Sequence, residues 1–220
     1  MALQRFDELN TLSFDEYFGD IAGMTTEQRK QRVALAETLL DVFLYAFSYI
    51  EEIFNGGASD AVAEQELWEM LDADVLASIP DDIKYAYRVS TAEDLGDLPI
   101  DPAIKNYVSL VTASIAGYTV AHVGEYYATS YERAWNMAAD QSQALWNDHD
   151  YKVAVASGKR FKTWQAILDK VTRPAHWNAN GKKVRINDYF VVGGEAMRYP
   201  HDINASAENV ISCRCWVIYS

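Results

Sequence analysis

Cys213 and Cys215 are the only two thiols in the 220-residue sequence, and they lie two positions apart near its C-terminal end. Thiolate and imidazole are natural zinc ligands. The pair with His176 therefore makes a candidate tetrahedral site, with His201, Asp202 or Asp169 as further donors. On a strand, positions i and i+2 point to one face, which would aim both sulfurs at the same ion. Zinc sites more often space their cysteines two to four residues apart across a tight turn, so the competing reading is two small buried hydrophobes. Two cysteines this close make no disulfide framework.

Asp169, Arg173 and His176 form a second constellation. A carboxylate, a guanidinium and an imidazole together can run acid–base hydrolysis. The cations Lys159, Arg160, Lys162, Lys182, Lys183 and Arg185 around them would draw in a phosphodiester. The competing reading is structural: an aspartate capping a turn, Arg173 paired with it, and a histidine satisfied in the core. The six cations also suit an acidic protein surface, or simply offset the acidic remainder of the chain. The sequence holds no glycine-rich phosphate loop, no nucleophile elbow and no two-histidine metalloprotease helix.

Short, β-branched segments punctuated by turns must position these residues. Residues 161–168, 183–186, 190–192 and 210–219 read as strands. Residues 178–181, 193–194 and 199–202 read as turns. Before residue 150 the pattern is helical. Thr25 and Gln28 have the spacing of a capping box. Val33, Ala36, Leu40, Phe43, Phe47, Ile50 and Phe54 then recur in steps of three and four, an apolar helical stripe. Leu39, Val42, Ala46, Tyr49 and Ile53 widen it, so more than one side is covered. Asn55-Gly56-Gly57 ends this helix.

A second helix is expected over 60–78, from Ser59 to before Pro80. Residues 80–100 form a connector with room for a short helix at 83–87. Asp101-Pro102 opens a helical run to about Trp146, within which Gly117 and Gly124 mark bends or close helix contacts. Residues 1–24 are an arm with one short helix. The fold class is therefore α+β: a mainly helical N-terminal region (1–150), then a small α+β module with short antiparallel strands (151–220).

Charge divides at the same place. Residues 1–150 carry 8 Lys and Arg against 27 Asp and Glu, a net of −19, whereas residues 151–220 carry 11 against 5, a net of +6. The overall net of −13 argues against a protein that coats nucleic acid uniformly. Half the residues are hydrophobic, enough for a core without staples. The apolar stretch Val33–Ile50 contains Glu37 and Asp41 and reads as a buried helix, not a membrane span. Arg5, Asp7 and Glu8 break any secretory leader at the start. The expectation is a soluble protein kept in a reducing cytoplasm.

Several short motifs fall in one order along the chain. They are Thr129 with Arg133-Ala134-Trp135-Asn136; Trp164 to Asp169; Thr172-Arg173-Pro174-Ala175-His176; Gly181; Phe190 to Gly194 with Tyr199-Pro200; and Cys213-Arg214-Cys215. Together they resemble the phage Mu protein F-like family, also called the phage head morphogenesis or minor head protein domain. The resemblance covers about residues 120–219. The sequence departs from the family at Ser130, where an acid is usual. It departs again at Lys170-Val171, in place of a second acid or arginine, and at Trp177 to Asn180.

The resemblance implies a minor head protein of a tailed phage or prophage, present in few copies at the portal vertex. Such a protein acts in capsid assembly and in genome packaging or delivery, as a structural and interaction protein. It would be assembled in the bacterial cytoplasm and end in the virion. Its implied partners are the portal protein and the major capsid or scaffolding protein, with packaged DNA meeting the basic module and no membrane involved. The resemblance assigns Arg133, Asn136, Trp164, Asp169, Arg173, His176, Cys213 and Cys215 to a structural motif. Some family members carry a toxin domain beyond the Cys-Arg-Cys ending, and five residues after Cys215 give no room for one. A nuclease-like hydrolase using Asp169, Arg173 and His176 and a zinc-stapled binding module are the alternatives.

Overall fold

Two capping boxes open the helical body. In the computed structural model, which describes residues 12–19, 23–84, 100–202 and 204–220, Ser13 and Glu16 cap helix α1 (Phe14–Phe18) reciprocally. Thr25 and Gln28 do the same for α2 (Thr26–Asn55), each accepting from the other's backbone N–H at 3.1 Å. The long stripe of α2 then buries Leu39, Phe43, Phe47 and Ile50. Each such side chain contributes roughly 1.5–3 kcal/mol when fully withdrawn from water.

The covering elements are α3 (Asp60–Ser78) on one side of α2 and α6 (Tyr131–Ala156) on the other, with α5 (Pro102–Ala121) packed on α3. Helix α2 is long and apolar enough to cross a membrane by length and composition. Its stripe is nevertheless taken up by the one core these helices share. A short helix, α4 (Asp81–Lys84), overlaps the start of the one expected at 83–87, whose remainder falls with residues 85–99 outside the described residues, as do 1–11 and 20–22 of the arm.

The helical run expected from 101 to 146 is broken in two. Helix α5 stops at Ala121, and a 3-10 turn at Tyr126–Thr129 leads into α6. Gly124, at φ 91°, makes the corner. Gly117 serves a close contact instead: a Cβ there would stand 3.3 Å from the Glu64 carboxylate of α3. Arg133 closes the corner. It is buried, donates to Thr119 Oγ1 at 2.9 Å and to the Ala128 carbonyl, and lies over the Tyr118 and Phe47 rings.

The C-terminal module is α+β, as the sequence implies. Strands β1 (Phe161–Gln165), β2 (Lys183–Arg185) and β5 (Trp216–Tyr219) form an antiparallel sheet in the order β2-β1-β5. Phe161 faces Arg185 and Thr163 faces Ile218 across it. Strands β3 (Phe190–Val192) and β4 (Glu195–Met197) make a hairpin over Gly193-Gly194, at φ 61° and 88°. Helices α7 (Pro174–Ala179) and α8 (Ala207–Val210) complete it. A second core gathers around the fully buried Trp164, with Phe190, Val192, Met197, Cys213, Cys215 and Val217.

Three local expectations change. The strand expected over 161–168 ends at Gln165, where Ala166 N–H turns to donate to Asn180 Oδ1 at 2.9 Å. Residues 174–179 form a helix where the resemblance implies a turn over 172–176. Pro174 opens it, because the first helical position needs no N–H donor. The strand expected over 210–219 begins only at Trp216, so both cysteines lie in the turn before it.

The charge boundary at residue 150 falls inside α6, which continues to Ala156. That helix joins the two parts. One side faces the helical core. The other bears Asp140, Gln143, Asn147 and Asp150, polar residues in steps of three and four. Asp140 accepts from Ser212 N–H at 2.8 and 3.0 Å. Gln143 Nε2 donates to the Cys215 carbonyl at 2.9 Å and Asn147 Nδ2 to the Pro200 carbonyl at 3.1 Å. Asp150 takes Arg32 of α2, fully buried, at 2.7 Å. The Arg32 guanidinium also sits 4.5 Å from the centre of the Trp216 ring.

Candidate metal centre

Helix α7 carries His176 into the second core, against the turn that holds Cys213 and Cys215. His176 Nδ1 lies 3.2 Å from Cys215 Sγ and 3.5 Å from Cys213 Sγ. The three ligating atoms are all within 4.8 Å of one another, and all three residues are buried. This cluster can hold a metal ion. Both thiols are free of disulfide.

A turn, not a strand, brings the two sulfurs together. Ser212 adopts φ 54°, and Cys213 N–H closes on the Val210 carbonyl at 3.1 Å. The chain then curls so that Cys215 N–H points at Cys213 Sγ, 3.5 Å away. A backbone N–H aimed at sulfur favours its thiolate. The turn is held from outside by Gln143 on the Cys215 carbonyl and by His201 Nε2 on the Cys213 carbonyl, at 2.7 Å.

The electrostatics separate the two thiols. Burial alone would raise Cys213, but hydrogen bonds from Cys215, His176 and His201 outweigh it and hold its pKa well below that of an ordinary thiol. Burial, then the neighbouring Cys213, push Cys215 well above that value. An ion bound to both sulfurs would displace the protons they carry.

Asp169 serves a different purpose. Its Oδ1 accepts from Val171 N–H, Thr172 N–H and Thr172 Oγ1 at 3.2, 3.1 and 2.9 Å, and its Oδ2 takes the Arg214 guanidinium. Burial would raise this carboxyl; the Arg214 and Thr172 bonds overcome that and hold it below the usual range. The arginine paired with it is Arg214, where the sequence suggested Arg173. Arg173 donates to the Ile211 carbonyl and lines a surface cavity of about 530 Å³ with Glu195 and Asn209. No side-chain hydrogen bond joins any two of Asp169, Arg173 and His176 among the described residues.

The remaining candidates are scattered. Trp164 packs edge-on against His176 and Phe190. Asn136 is buried on α6, and its Nδ2 has no partner among the described residues. Lys159, Arg160, Lys182, Lys183 and Arg185 are exposed along the β2 edge of the sheet and the turn before β1. Lys162 points inward. It is fully buried, donates to the Arg198 carbonyl at 2.7 Å, and sits between the Tyr151 and Phe190 rings. Burial brings its pKa down to about 8.

Sequence reasoning missed the polar stripe of α6. Asp140, Gln143, Asn147 and Asp150 repeat at helical spacing, but a polar row reads as a solvent-facing side, and only the backbone groups lying opposite make it a buried one.

No family model matches the chain, and no solved structure matches it. The chain is similar to the NAD(+)--arginine ADP-ribosyltransferase EFV of Enterococcus faecalis (strain ATCC 700802 / V583). The two are 27% identical over an alignment of 118 residues that covers 50% of this chain and 24% of that protein.

Proposed function

We propose that the chain is a minor head protein of a tailed phage or prophage. It works as a structural and interaction protein at the portal vertex, in capsid assembly and in genome packaging or delivery. The observation that carries this reading is how the motif residues of the C-terminal module are used. Trp164, Asp169, Arg173, His176, Cys213 and Cys215 all bond or pack against other parts of the same module. They build a rigid unit, and the unit offers its exposed basic edge at Lys182, Lys183 and Arg185 to an acidic partner or to packaged DNA. The acidic helical body suits protein partners, the portal and the major capsid or scaffolding protein, because acid repels phosphate.

The activity named for the Enterococcus relative belongs to a protein of which 24% is matched. Mixing the purified chain with portal subunits of the phage or prophage that encodes it tests the reading. Co-sedimentation as one assembly is expected; separate sedimentation over a range of salt would overturn it.

The His176, Cys213 and Cys215 cluster favours a compatible second reading, in which zinc staples the module. Two thiolates and an imidazole fit zinc by softness and by their mutual distances. The ion would tie α7 to the turn before β5, a link of 37 and 39 residues along the chain. Its contribution would be folding energy.

A further inference from the structure

We propose that the cleft between the C-terminal end of α2 and the 123–131 corner is a docking site for a basic segment of a partner protein, anchored by an arginine or lysine side chain. The inference concerns the helical body and stands apart from the zinc reading. It goes beyond the proposed function, which names protein partners for this body but no surface that meets them.

The cleft has a volume of about 630 Å³. Glu51 and Phe54 of α2 line one side, and Glu125, Tyr126 and Tyr131 line the other. Thr129 Oγ1 donates to Glu51 Oε1 at 3.5 Å, so that carboxylate faces the corner. No lysine, arginine or histidine is among the described lining residues. Arg133, the cation of this corner, is committed to Thr119 and the Ala128 carbonyl.

Two helix ends deepen the negative character. Helix α2 stops at Asn55, and α5 stops just before Val123 and Gly124, all three of which line the cleft. The carbonyl end of a helix carries partial negative charge and favours a cation. Neither helix has a basic residue in its last turn. The last turn of α2 instead holds Glu51 and Glu52, both exposed. Acids there oppose the dipole, and an arriving cation would relieve both.

The aromatic rings supply the second half of the recognition. Tyr126 is 84% exposed and Tyr131 56%. A tyrosine face attracts ammonium and guanidinium groups, and its rigid, amphipathic ring suits a protein interface. An arginine can stack on such a ring while its N–H groups reach a carboxylate. Other classes of partner fit less well. Phosphate would be repelled by Glu51 and Glu125. A purely apolar surface would bury those two carboxylates unpaired.

The test titrates the purified full chain with a short arginine–serine peptide at about 150 mM salt, with a glutamate–serine peptide alongside. Saturable one-to-one binding of the basic peptide is expected, with amide shifts confined to residues 51–57 and 122–132. Glu51→Gln with Glu125→Gln should weaken it about tenfold. Tyr126→Ala should weaken it about two- to fivefold, and Tyr126→Phe, which keeps the ring, should restore it. Shifts spread over the acidic faces of α2 and α3, or undiminished binding by Tyr126→Ala, would mean attraction by net charge alone and would overturn the inference. Preference for the glutamate peptide would overturn it too. So would a wild-type oligomer that the basic peptide takes apart, because the occupant would then be a second copy of this chain. If Tyr126→Ala does not fold, the location of the wild-type shifts and the double glutamine variant decide.

Discussion

The helical body and the C-terminal module solve the same problem by different means. The body has long helices whose apolar stripes meet, with buried polar groups such as Arg32 and Arg133 set into that packing. The module has strands of three to five residues around one tryptophan. Segments that short cannot bury enough surface to hold themselves. It therefore adds specific bonds: the Asp169–Arg214 clamp, the α6 stripe on its backbone, and the cysteine–histidine cluster. The difference teaches that a small core is held in place by directional groups, whose loss is felt locally.

Four experiments break or sharpen that comparison. Metal removal is the largest. If zinc staples the module, a strong chelator should remove hydrogen-exchange protection from residues 161–219 while α2, α3 and α5 keep theirs. Structural zinc in small domains contributes about 10–16 kcal/mol at neutral pH. Equal protection with and without the chelator would leave the clamp and the core as the module's only supports.

Trp164→Ala comes next. It empties the centre of the second core and should lower stability by about 3–5 kcal/mol. Urea unfolding followed by amide exchange should reveal the module opening before the body; one concerted transition would mean that α6 couples them fully. Asp150→Ala attacks the joint between the two. It leaves the fully buried Arg32 without its carboxylate, a loss of about 3–5 kcal/mol that should destabilise both parts together.

Lys162 gives the smallest effect, visible in pH. Its folded pKa, about 8, lies below its ordinary value of 10.5. Between those values the unfolded chain binds more protons than the folded one, so wild-type stability should gain as pH rises from about 8 to 10.5. Lys162→Met should lack that gain. Melting temperatures across this range check it, and parallel curves for the two proteins would place the ammonium in water.

Much of the helical body is legible in the sequence. The Thr25–Gln28 box and the Asn55-Gly56 stop bound α2, Ser59 and Pro80 bracket α3, and Asp101-Pro102 opens α5. These are local signals, since a cap acts over three residues and an apolar stripe over one turn. The hairpin over Gly193-Gly194 is legible for the same reason.

The centre is only partly legible. The sequence names His176, Cys213 and Cys215 by residue type, but it puts the cysteines on a strand, and a turn holds them. It offers Arg173 as the partner of Asp169, and Arg214 fills that place because the Cys213–Cys215 turn carries it there. It groups Lys162 with five surface cations, and the register of β1 sends that side chain inward.

By itself, then, the sequence determined the α+β class, the bounds of α2 and α3, the start of α5 and the residue types able to bind a metal, because each depends on neighbours within a few positions. Tertiary structure alone decided that imidazole and thiols meet across 37 to 39 residues, which arginine clamps Asp169, and which face of α6 is buried. Those outcomes depend on how the helix packs against the module, and a pairing between distant segments leaves no periodic trace in either one.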